Sequence, residues 1–178
     1  MLFAAAVLVA CAVNAPGAPV PATATPDYHV RAIDPRVREW IKLGAAHSRT
    51  FDDLLNRLAK SDVIVYVQMV DRIPSGASGQ IAFAAATKIV RYLRIEIDGR
   101  GSVFDIVSIL GHELEHAVEI AAAPRVRDSD ALATMYLRPG DASTWYDSAA
   151  ARDTGNRIRV ELARSAGRER GALHTKTH

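Results

Sequence analysis

The chain has a single cysteine, Cys11, so it can form neither an intrachain disulfide nor a cysteine-ligated metal cluster. Any metal must be held by His, Asp and Glu, a donor set that suits zinc without excluding other divalent ions. Excess charge of one sign is also scarce. The formal net charge is +2 over 178 residues, and Lys and Arg are spread along the chain rather than gathered in one stripe. A nucleic-acid partner is therefore not expected. Nor is there a hydrophobic run long enough to span a bilayer, since the apolar stretch that opens the chain covers about a dozen residues. The segment Ile73-Pro74-Ser75-Gly76-Ala77-Ser78-Gly79 lacks a following Gly-Lys-Ser/Thr, which makes it turn material and not a phosphate loop.

What remains is an ordinary globular composition, 49% hydrophobic and 24% charged, in a length that supports one domain with a real core. Residues 1–13 are almost wholly apolar, residues 14–26 are rich in Ala and Pro, and the first charged residue is Asp27. This pattern predicts an export signal and linker over residues 1–26, although the usual positive n-region is missing. Leu8-Val9-Ala10-Cys11 resembles a bacterial lipobox, which would make Cys11 a lipidation site and attach the protein to a membrane. Ordinary cleavage near Ala15 or Ala18 is the alternative. The expected address is outside the cytoplasm: periplasmic, envelope-attached or secreted. The folded domain is expected over residues 27–166, followed by a basic, structureless tail over residues 167–178. Nothing in the pattern specifies an oligomer.

Within the domain, Asp34-Pro35 reads as an N-cap and first helical position, and Thr50 with Asp53 as the capping box of a second helix. Residues 63–70 read as a strand, and residues 80–87 and 88–98 as two more or as one long bent one, with Arg91, Arg94 and Glu96 on a wet face. Ser102 and Asp105 form a capping box for a long central helix that Pro124 stops. A last helix is expected from Ser143 or Thr144 through Trp145 to about Ala166.

The central helix carries His112-Glu113-Leu114-Glu115-His116. Positions i and i+4 lie on one helical face, so the two imidazoles can grip one metal ion. Glu113 is then placed to act as general base on a metal-activated water. At about 100° per residue, the apolar residues Ile106, Val107, Leu110, Leu114, Ala117 and Val118 fall roughly opposite the histidines. The helix should thus be buried on its back and present its ligands to a cleft. A catalytic centre needs a third ligand. Asp147, flanked by small residues that permit close helix approach, is the favoured candidate, with Glu161 the alternative. Glu119 shares the histidine face one turn on, where it suits a partner that holds His116. Tyr146 is the first candidate for stabilising an oxyanion, and Tyr136 a second.

This order of strands, His-Glu-x-x-His helix and later acid-bearing helix resembles the zincin metallopeptidases. More narrowly, Asp62-Val63-Ile64-Val65-Tyr66-Val67, Arg91-Tyr92-Leu93-Arg94-Ile95, residues 110–120, Tyr146-Asp147-Ser148-Ala149-Ala150 and Val160-Glu161-Leu162 resemble a group of small exported bacterial proteins. The similarity runs from about Arg36 to Arg164. It implies an α+β, zincin-like single domain, with a small, mostly antiparallel sheet packed on the motif helix and further helices around it. It also implies a Zn2+ cofactor, a peptide or protein substrate, and a hydrolase that uses Glu113. In that group the position of Asp147 resembles Glu followed by Thr. Asp is one methylene shorter, so here the two helices must sit closer. A non-catalytic envelope-associated binding protein, with a structural metal or none, is the competing expectation.

Overall fold

The computed structural model describes residues 29–136 and 147–174, and side chains as far as Glu169. Along the chain the elements are β1 (Val30–Ala32), α1 (Pro35–His47), α2 (Arg49–Ala59), β2 (Val63–Val70), β3 (Gly79–Ala86), β4 (Arg91–Asp98), α3 (Val103–Ala121), α4 (Ser129–Tyr136) and α5 (Ala149–His174). The chain is a small α+β domain with one four-stranded sheet. No helix among the described residues is long and apolar enough to cross a membrane. Residues 1–28, Cys11 among them, lie outside the described residues.

Local chemistry sets the helix starts. Asp34 accepts from the amide of Val37 at 3.0 Å, with Pro35 opening α1. Its other oxygen accepts from the amide of Met69 at 3.2 Å, which ties the helix start to β2. The cap of α2 is Ser48 and not Thr50. Its amide donates to Gly44 to end α1, and its hydroxyl accepts from the amide of Phe51 at 3.1 Å to begin α2. Ser102 caps α3 through the amide of Asp105, as the capping box predicts.

The sheet order is β1-β2-β4-β3. The expected mostly antiparallel sheet is instead mixed. β1 and β4 both run parallel to β2, and only β3 with β4 is antiparallel. The loop after β2, turning at Gly76 (φ 80°), carries the chain across one strand position. β3 thereby takes the edge, and β4 returns between β3 and β2. Val65, Val67, Ile81, Leu93, Ile95 and Ile97 alternate along their strands and share one core with the helices.

α3 is the centre of that core. It is not an amphipathic helix with one open side, because Glu113, Glu115 and His116 are buried along with its apolar residues. α5 packs along the histidine side. The lack of a side chain at Gly155 permits this close approach: a Cβ there would meet the carbonyl oxygen of Ser108 at 3.2 Å and the Cβ of His112 at 3.3 Å. Glu115, a charge between the two histidines, is accommodated by Arg57 at 3.4 Å and the Thr154 hydroxyl at 3.3 Å.

Arg91 does not lie on a wet face. It is fully buried and donates to the carbonyls of Ile120, Ala121, Ala123 and Val126 at the end of α3 (2.8–3.2 Å). It also forms a two-pronged pair with Asp62 at 2.6 and 2.9 Å. A helix end leaves carbonyls without partners, and here one guanidinium takes up several of them. α5 also departs from expectation. Ser148 caps it through the amide of Ala151 at 3.0 Å, so Asp147 precedes the helix and is not in its first turn. The helix then continues to His174, through residues read from composition as the start of a structureless tail.

Candidate metal centre

His112 and His116 stand one turn apart on α3, with their Nε2 atoms 3.2 Å from each other. The segment just before α5 brings Asp147 Oδ1 to 3.7 Å from His112 Nε2. One ligand atom from each of the three residues falls within 4.8 Å of the others. Ligands at about 2.0–2.1 Å from a tetrahedral zinc would lie about 3.4 Å apart, so this spacing suits one ion with little adjustment. Two nitrogens and a carboxylate oxygen also make a donor set fitting zinc.

The candidate ligands are held from behind. His116 is fully buried, and its Nδ1 lies 2.9 Å from Glu119 Oε2 and 3.1 Å from the Tyr136 hydroxyl. A carboxylate at Nδ1 keeps the proton there and leaves the Nε2 lone pair aimed at the metal position. Glu119 also accepts from the Tyr136 hydroxyl at 2.7 Å and, through its other oxygen, from the Ser148 hydroxyl at 2.6 Å. Burial alone would raise its pKa. The bonds from His116, Ser148 and Tyr136 outweigh burial and hold it at about 2. One carboxylate thus links His116, α4 and the cap of α5 next to Asp147. Burial, and then the neighbouring His116, lower the pKa of His112, favouring the neutral imidazole that binds metal.

Glu113 opens onto the same cleft from the next position along α3. It is only 6% exposed, and burial is the main cause that pushes its pKa up to about 7. A carboxyl poised near neutrality can both take and return a proton. β3 reaches it closely: a Cβ on Gly79 would meet Glu113 Oε1 at 2.8 Å. The cleft has a volume of about 460 Å³, with His112, Glu113 and Asp147 at one part of its wall and Gly79, Asn156 and Arg159 at others.

Two sequence-derived candidates fall elsewhere. Glu161 lies apart from the cluster, accepting from Ser48, Thr50 Oγ1 and the Thr50 amide at 2.6–3.0 Å, so it secures the start of α2. Burial works against its charge, and these bonds, led by Ser48, still lower its pKa. Tyr136 sits behind His116, on the Nδ1 side, and does not offer its hydroxyl to the cleft as an oxyanion donor would need. Tyr146 and Cys11 lie outside the described residues. Conversely, Ser148 and Arg152, the latter 2.7 Å from Asp147 Oδ2, were not singled out from sequence. Ser148 offers only a weak signal, a hydroxyl before a run of alanines.

Glu119→Gln is expected to weaken metal binding by about 10- to 100-fold while leaving the helical content unchanged, because it loosens His116 without removing a ligand. Competition for the metal against a chromogenic chelator, with circular dichroism on the same samples, checks this. No protein-family model, curated protein or solved structure matches the chain.

Proposed function

We propose that the protein is an exported, zinc-dependent hydrolase, and most specifically a metallopeptidase acting on peptide or protein substrates. The observation that carries this reading is the convergence of His112, His116 and Asp147 beside the buried carboxyl of Glu113 at the wall of a cleft. Zinc bound there would supply a Lewis acid that activates water and polarises a carbonyl.

The chain's own residues perform the rest. Glu113 takes a proton from the attacking water and returns it to the departing amine. Glu119 fixes the tautomer and direction of His116. The Asp147–Arg152 pair sets the carboxylate against the histidines. Among the described residues the ligand group holds three donors, the number expected of a catalytic centre with a position left for water, and this favours catalysis over a purely structural metal. Export rests on the leader read in residues 1–26, with Cys11 as the candidate lipid attachment.

The test is metal content. Full-length protein freed of loosely bound ions is expected to retain about one zinc per chain, and His112→Ala close to none. Mass spectrometry of metal per chain reads both. A value near zero in the unaltered protein removes the proposal.

A further inference from the structure

α5 forms one wall of the cleft and presents Arg152, Asn156 and Arg159 to it, at positions i, i+4 and i+7, which lie on one helical face. The opposing wall, Ala77, Ser78 and Gly79, is small and uncharged. Apart from Glu113 and Asp147, both already placed at the centre, no lining residue is acidic, while Arg152 and Arg159 are both cationic. Arg152 is occupied by Asp147. Arg159 is held no more firmly than Arg152, whose own pair with Asp147 is 54% and 40% exposed, and its partner lies outside the His112, His116 and Asp147 group. Arg159 pairs with Asp105 at 2.9 Å, but the two side chains are 55% and 41% exposed. Such an exposed pair contributes little and yields readily to a competing anion. Asn156, one turn before Arg159, is also exposed and adds an amide donor at the same wall.

We propose that this wall recognises a carboxylate of the substrate, with Arg159 and Asn156 as its specificity-determining side chains. That the ligand is a substrate rests on the hydrolase reading above, whereas the anion recognition itself is a property of the wall. Guanidinium matches carboxylate in a planar, two-pronged geometry. The carboxylate can come from an acidic side chain or from the C-terminus of a peptide, and the two sources are separable by experiment. Arg159 lies about two turns of helix, roughly 10 Å, along α5 from Arg152, the residue paired with Asp147. The anion is therefore held away from the scissile bond, where it orients the chain without competing for the metal.

The test uses full-length Glu113→Gln protein, in which turnover is expected to be too slow to consume the peptide during the measurement, and three fluorescent peptides of one length. The first contains Glu and is C-terminally amidated. The second is its Gln twin, also amidated, and the third is the Gln twin with a free C-terminus. Fluorescence anisotropy is expected to show about tenfold tighter binding of one anionic peptide than of the neutral twin, which also says which source is read. Adding Arg159→Gln is expected to bring the peptides within about twofold of each other, and Asn156→Leu to reduce the preference in part. Equal binding of all three, absence of binding, or a preference that survives Arg159→Gln overturns the proposal. Metal content on the same samples separates the two readings. A preference without metal leaves the anion site standing and removes the hydrolase, while metal without a preference does the reverse.

Discussion

Glu113→Gln is expected to leave zinc content unchanged and to lower peptide hydrolysis by between about a hundredfold and ten-thousandfold, the usual contribution of a positioned general base. Gln keeps the shape of Glu and can fill the same place between α3 and β3. What it loses is the ability to take a proton. Glu113 is not among the three clustered ligand residues, so the ion should stay. Its burial sharpens the contrast. A carboxyl that is 6% exposed, with its pKa pushed up to about 7, is held in place at a cost to folding. A neutral amide there should leave the melting temperature equal or higher. Activity and stability then move in opposite directions, as expected where a residue is retained for chemistry. Single-turnover cleavage of a peptide library, read beside metal content and thermal unfolding, checks all three. Equal cleavage by both proteins would remove Glu113 from the mechanism.

The parts of this site that were legible in the sequence are those set by spacing along one helix. His112, His116 and Glu119 share a face of α3 because of the 3.6-residue turn, and the structure places Glu119 against His116. Asp34-Pro35 and Ser102 with Asp105 were legible for the same reason, since a cap needs only three or four residues of context. Where hydroxyl residues cluster, that context became ambiguous. Ser48 and Thr50 both suit a cap, and so do Ser143, Thr144 and Ser148, and the structure uses Ser48 and Ser148. Strand direction was not legible, because it depends on which strand enters beside β2 and not on any residue of β4. The choice between Asp147 and Glu161, both acids of the last segment, was legible only in part, through the small residues beside Asp147 that favoured it. Only the packing of α5 on α3 and α2 sends one to the histidines and the other to Ser48 and Thr50. Gly155, where a Cβ would meet Ser108 and His112, was a further hint of that close packing.

Arg91 shows the limit of pattern reading most clearly, and the largest expected loss of stability is there. Alternation along β4 places it on a face but cannot say whether a partner waits inside. The structure supplies several: Asp62 and the carbonyl ends of α3 and the turn after it. Arg91→Met fills much of the same volume with apolar atoms and takes a charged donor from all four carbonyls, of which those of Ile120 and Ala123 keep the amides of Ala123 and Val126, and from Asp62, which is 36% exposed and can turn to water. The loss therefore comes mainly from the buried carbonyls. A domain of this size has only about 5–15 kcal/mol in all, and each carbonyl left unsatisfied costs about 1–3 kcal/mol. Urea unfolding is expected to show a loss in that range. Arg91→Lys should lose less, since one ammonium still meets a carbonyl or Asp62 but cannot span both. A pH series separates the two kinds of partner. The hydrogen bond from Arg91 is the main cause holding the Asp62 pKa below its ordinary 3.8. Its contribution is therefore complete above about pH 4 and is lost as the pH falls through the depressed folded value. The carbonyl bonds have no such dependence. The gap between the unaltered protein and Arg91→Met should narrow in acid without closing. A gap that closes completely would assign the whole effect to Asp62, and one that does not change would assign it to the end of α3.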